Sequence, residues 1–74
     1  MNVTVHLFAT FREGRLPNEI REVAEKTPLA AVVAELGIAR REVGFCLVNG
    51  RHASFEQELQ EGDEIYLSPM VAGG

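Results

Sequence analysis

One apolar stripe of helical spacing runs through this chain, and the apolar residues elsewhere follow strand patterns. Leu29, Val32, Val33 and Leu36 recur at intervals of three and four, so they line one side of a helix. Thr27-Pro28 ahead of them predicts Thr27 as N-cap and Pro28 at the first helical position. Gly37 stands where a left-handed C-cap belongs. The spacing predicts about three turns, enough to cover one face of a small sheet.

The strands are read on either side of that helix. Residues 2–9 alternate strictly at first, with Val3, Val5 and Leu7 on one face and Asn2, Thr4 and His6 on the other. Phe8 breaks the pattern by falling on the polar face. Gly14, Pro17 and Asn18 then supply turn chemistry, and a second strand is expected over residues 19–24. After the helix, residues 38–44 form a connector. Residues 45–48 are a continuous apolar run, which predicts a strand buried on both sides. Asn49-Gly50 is a two-residue hairpin signal returning through residues 51–53. Residues 54–60 read as a polar loop with a helical turn. Glu61-Gly62-Asp63 turns into a last strand where Ile65 and Leu67 face in and Tyr66 and Ser68 face out. Pro69 ends it, having no N–H for a ladder. This order of strands around one helix predicts an α+β domain with a mixed sheet of four to five strands, the β-grasp or ubiquitin-like arrangement. Its last strand is central, and the chain leaves it directly into solvent.

Composition narrows the function classes. A single domain of 74 residues buries only about 60 % of its unfolded surface, leaving no room for a two-lobed catalytic cleft. Eleven acidic residues against seven basic ones give a net charge of −4, with Lys26 as the only lysine. That balance argues against nucleic acid, whose phosphates call for clustered cations, and suits a partner with a basic docking face. Cys46 is the single cysteine and there are two histidines, so neither a disulfide framework nor a metal site is expected. No apolar run is long enough to span a membrane and no signal-peptide pattern opens the chain, so a cytoplasmic setting is the expectation.

Residues 1–69 are read as the folded domain and residues 70–74 as a flexible tail. That tail, Met70-Val71-Ala72-Gly73-Gly74, ends on two residues without a Cβ. It is narrow and unrestricted in φ, slim enough to enter a deep channel and present its carboxylate to chemistry done there. Two terminal glycines alone favour a frayed end.

With these features in order, the chain resembles the ubiquitin-like sulfur carriers of the MoaD and ThiS type. Members include the small subunit of molybdopterin synthase and the thiamine-biosynthesis carrier. The likeness covers essentially the whole chain and rests on Leu7-Phe8-Ala9 leading to Arg12-Glu13, on Glu61-Gly62-Asp63-Glu64, and on residues 69–74. It implies that an E1-like enzyme adenylates the Gly74 carboxylate with ATP, and that a sulfur donor such as a cysteine desulfurase or rhodanese converts it to a thiocarboxylate. No bound cofactor is implied. The first-strand motif is closer to the molybdopterin branch, whose large subunit would then be the acceptor. Gly73, Ala72 and Val71 would be read inside a partner's channel, and Phe8, Arg12 and Ser68 would belong to the docking face. Ser68 stands where molybdopterin carriers usually show an aromatic and Met70 where they usually show a second proline, which leaves the acceptor open. The alternatives are a thiamine-type carrier, a protein modifier attached to lysines, or a plain interaction module.

Each such residue also has a plainer reading. Phe8 can be a docking anchor or a contact with Phe11 or the neighbouring strand. Arg12 can meet an acidic partner or only Glu13 and solvent. Cys46 reads as a small core residue rather than a nucleophile, and His6 and His52 as surface side chains. Glu56, Glu58, Glu61, Asp63 and Glu64 form either a solvated face or an acidic collar beside the tail.

Overall fold

In the computed structural model, which describes residues 1–70, five strands form one mixed sheet crossed by one helix. The strands are β1 (Asn2–Leu7), β2 (Asn18–Glu22), β3 (Val43–Val48), β4 (Arg51–His52) and β5 (Glu64–Pro69), and α1 spans Leu29–Glu35. Short 3-10 turns occupy Ala9–Arg12 and Arg40–Glu42. The order across the sheet is β2-β1-β5-β3-β4, with β1 and β5 parallel and the other pairs antiparallel. This is the expected β-grasp, and β5 is its middle strand.

The alternation in β1 does what it predicts: Val3, Val5 and Leu7 are buried beneath α1 with Ile65 and Leu67 of β5 and Cys46 and Val48 of β3. Leu29, Val32 and Val33 descend from the helix, while Phe11, Ile38 and Leu59 close the edges. Seven of these side chains are fully buried, each contributing roughly 1.5–3 kcal/mol on transfer from water.

Three local expectations change. The helix begins at Leu29 and has seven residues, about two turns rather than three. Pro28, not Thr27, is the N-cap, in an extended conformation, and the Thr27 hydroxyl donates instead to the Ala24 carbonyl at 2.6 Å. The free amides of the first turn find carbonyls from the loop before β5: Leu29 N–H donates to Gln57 (2.9 Å) and Ala30 N–H to Phe55 (2.8 Å). A side-chain cap is unnecessary where a neighbouring backbone supplies the acceptors. At the other end Gly37, at φ +78°, provides the left-handed C-cap, with its N–H on Ala34 and that of Ile38 on Val33.

β3 is buried on one face only. Cys46 and Val48 point to the helix, whereas Phe45 is 39 % exposed, because nothing within residues 1–70 covers the far face of the sheet. The β3–β4 hairpin is tight as expected, with Asn49 at φ +54° and Gly50 at φ +83°.

Candidate functional site

The open face of the sheet carries an aromatic strip built by alternation on three adjacent strands. His6 and Tyr66 are cross-strand partners in the parallel β1–β5 pair, and their rings stack at 4.5 Å with 9° between planes. Phe8 follows β1, its ring centroid 6.3 Å from Tyr66 and 6.4 Å from Phe45 on β3. Phe8 is 41 % exposed. Phe8 packs on the neighbouring strands, as its plainer reading expects, and still offers about two fifths of its surface. Single exposed apolar residues are ordinary, but two phenylalanines joined by Tyr66 make a patch with the features of a docking site.

His6 is the residue that the sequence reading underrated. Its Nδ1 lies 2.9 Å from Asn18 Oδ1 and its Nε2 2.8 Å from Glu64 Oε1, so β1 is tied to both neighbouring strands through one ring. The available signal was parity, since Thr4, His6 and Tyr66 all belong to the outward positions.

Ser68 also occupies an outward position, but it is only 7 % exposed. It is flanked by Phe45, its partner in β3, and by Phe8, which follows Leu67's partner Leu7. A small hydroxyl side chain between two rings is overtopped by them, so Ser68 shapes the strip without presenting a contact surface. Arg12 ends the Ala9–Arg12 turn and is exposed, with no ion pair or side-chain hydrogen bond among the described residues.

The acidic collar expected beside the tail concerns residues 71–74, which lie outside the described residues. Glu61, Asp63 and Glu64 stand at the start of β5, and Pro69 at its end, six strand residues or roughly 17–20 Å away. Asp63 is buried and structural: its Oδ1 accepts from Asn49 Nδ2 (2.9 Å) and its Oδ2 from Gln60 N–H (2.8 Å). Asn49 Oδ1 in turn accepts from Glu64 N–H (2.9 Å), which locks the β3–β4 hairpin onto the root of β5. Glu61 Oε1 accepts from Asn2 N–H (2.9 Å), and Glu56 faces Arg40 at 3.1 Å.

Cys46 belongs to the core. Its thiol donates to the Ala53 carbonyl at 3.1 Å, and burial pushes its pKa up, the opposite of what a sulfur nucleophile needs. Among the described residues there is no group of three His, Cys, Asp or Glu side chains placed to hold a metal. No helix among the described residues is long and apolar enough to cross a membrane.

The end of β5 is the second part of the site. Met70, the last described residue, donates its N–H to the Glu42 carbonyl at 3.1 Å, and its side chain is exposed. The central strand therefore delivers the chain to the rim of the sheet at a fixed point. Val71, Ala72, Gly73 and Gly74, the positions read as tail recognition and carrier carboxylate, lie outside the described residues.

The model of the ThiS family matches residues 5–74, nearly the whole chain. The chain belongs to the ThiS family. ThiS-family membership places it among the ubiquitin-like sulfur carriers of ThiS and MoaD type. Solved structures agree on the fold. The chain is 26 % identical to a putative molybdopterin converting factor, subunit 1, from Pyrococcus furiosus, covering 96 % of this chain and 99 % of that one at a TM-score of 0.80. It is 26 % identical to SAMP1 from Haloferax volcanii over 100 % of both chains, TM-score 0.78. It is also 26 % identical, over 100 % of both chains, to a chain in the protein–protein complex of subunits 1 and 2 of the molybdopterin-converting factor from Helicobacter pylori, TM-score 0.66. No curated protein gives a significant sequence match.

Proposed function

We propose that this ThiS-family chain is a sulfur carrier whose working group is the Gly74 carboxylate, with the large subunit of molybdopterin synthase as acceptor. The observation that carries this reading is the central position of β5, whose end at Pro69 reaches one edge of the sheet beside an aromatic strip left open among the described residues. A carboxylate is a poor electrophile because it is anionic. Adenylation by an E1-like enzyme with ATP removes that charge and leaves AMP as the leaving group. The terminal sulfur of the donor protein's persulfide then displaces AMP to give an acyl disulfide, and a thiol reductant cleaves its S–S bond to release the thiocarboxylate and the donor thiol. None of these steps asks for a side chain of the carrier, whose contribution is placement.

The likeness to subunit 1 of the molybdopterin-converting factor, seen in complex with subunit 2 in Helicobacter pylori, supports that acceptor. In this reading Phe8, Phe45 and Tyr66 are the apolar centre of the docking face, Arg12 lies at its edge, and Gly73, Ala72 and Val71 thread the partner's channel. Setting the chain in the cytoplasm, where ATP and reduced sulfur donors are available, belongs to the same reading.

The test is an intact mass after incubation with ATP, an E1-like adenylating enzyme, a persulfide donor and a thiol reductant. A mass gain equal to exchange of one oxygen for sulfur, absent from a Gly74 deletion that still folds, supports the reading. Adenylation that persists in the deletion refutes it. The likeness to SAMP1 favours a second reading, attachment of the same activated terminus to lysines of other proteins. Covalent, thiol-resistant ladders in extract would support it, and their absence with the thiocarboxylate present would leave the carrier role alone.

A further inference from the structure

β3 meets β5 with one residue to spare. Val43 lies opposite Pro69 and Phe45 opposite Ser68, so Gly44 is the extra residue of a bulge between them. Its φ lies outside the left-handed region, so backbone conformation does not call for glycine here. Space does. A Cβ on Gly44 would lie 2.6 Å from the Pro69 carbonyl oxygen, 2.8 Å from its carbonyl carbon and 2.9 Å from Met70 Cα. All three are main-chain atoms, which cannot swing aside as the tip of a side chain can.

Two residues earlier the chain grips the same peptide from another side. The Glu42 carbonyl accepts the Met70 N–H at 3.1 Å. That carbonyl is held in place by its own turn: Glu42 N–H donates to the Ala39 carbonyl, and Glu42 Oε1 accepts the Ala39 N–H, both at 2.9 Å. Pro69 has no N–H to give a ladder, so the Met70 amide is the next donor after Ser68 that can tie down this strand end.

We propose that Gly44 and the Glu42 carbonyl form a seat for Pro69 and Met70 that sets the direction in which the chain leaves β5, making Gly44 a positioning residue for the chemistry at Gly74. This rests on the sulfur-carrier reading. Four residues follow the seat, at most about 14 Å of chain when drawn out in a partner's channel. A rotation of about 10° at the seat would then move the terminal carboxylate by about 2 Å, and a misplacement of about 1 Å can cost about 100-fold in rate. Glycine at position 44 is thus tied to the far end of the molecule through the strand it lets pass.

The experiment compares wild type with Gly44→Ala in two measurements. The first is amide hydrogen exchange, where Met70 is expected to lose about tenfold or more of its protection while Val48 in the core keeps its own. The second is steady-state adenylation by the E1-like enzyme with the carrier as varied substrate. There kcat is expected to fall about tenfold or more, while KM for the carrier stays within about threefold because the aromatic strip is untouched. Should Gly44→Ala fail to fold, Met70→Pro removes the same N–H without adding a Cβ at position 44, and it is read by kcat and KM alone because proline leaves no amide to exchange. Unchanged Met70 protection refutes the seat. Lost protection with unchanged kcat refutes its role in positioning the terminus. If wild type itself is not adenylated, the sulfur-carrier reading fails, and the seat is judged by Met70 protection alone.

Discussion

Replacing Phe8 by alanine should weaken partner docking by an amount that its environment fixes. Phe8 is 41 % exposed in the free protein. A phenylalanine offers roughly 200 Å², so about 80 Å² remains for a partner to cover. At about 25 cal/mol per Å² that area is worth about 2 kcal/mol, or about 30-fold in Kd. By the same rule the folded state should lose more, about 3 kcal/mol, because the remaining area of about 120 Å² is already buried in the free protein, partly in the tilted contact with Phe45 and the stacked one with Tyr66. Titration calorimetry against the large subunit of molybdopterin synthase, with a thermal melt of the free variant, separates the two effects. Leu16→Ala is the control. Leu16 is more exposed than Phe8, but it lies beside Glu35 and Leu36 at the end of α1, away from the strip. Docking within about threefold of wild type for Phe8→Ala, or equal losses for both variants, would refute the strip as the docking centre.

Three further outcomes follow from single environments. Asp63→Ala should destabilise the fold by about 3 kcal/mol, because the Asn49 side-chain amide and the Gln60 N–H both lose a buried carboxylate; a urea midpoint checks it. Ala9→Gly should stabilise by about 1 kcal/mol, since Ala9 sits at φ +52° where only glycine avoids a Cβ penalty, and unchanged thermal stability would deny that strain. The Cys46 thiol, pushed up by burial, contributes stability that is fully present below the ordinary thiol value and is lost as pH rises through the higher folded value. Cys46→Ala should therefore flatten the alkaline loss of stability, and native protein should react with a thiol reagent far more slowly than unfolded protein.

Local patterns in the sequence translate into structure where their partners are also local. The alternation of Val3, Val5 and Leu7, the stripe of Leu29, Val32 and Val33, and the Asn49-Gly50 turn each declare a period or a dihedral within a few residues. The readings that change depend on groups remote in sequence. Thr27 loses its capping role because the carbonyls of Phe55 and Gln57 arrive first at the helix amides. Phe45 is left open because no second layer among the described residues covers β3, which a run of apolar letters cannot reveal. Ser68 is overtopped by rings from β1 and β3, and His6 acquires its role from Glu64, 58 residues away. Glu61, Asp63 and Glu64 stand at the start of β5 and Met70 just past its finish, because a strand places its two ends on opposite edges of the sheet.

That separation of ends gives β5 its mechanical character. At its start, Glu64 is tied through its N–H to Asn49, whose side-chain amide reaches Asp63. Along its length it is paired on both sides, by β1 and by β3. At its finish, the Glu42 carbonyl holds Met70 and the Gly44 bulge gives Pro69 room. A strand fixed at both ends in the middle of a sheet is among the last elements to open in a small domain. A carrier that contributes placement rather than catalytic side chains has reason to hang its reactive carboxylate from such a strand. Fluctuation at the root would be amplified along the four residues beyond it, whereas a rigid root keeps their starting point fixed.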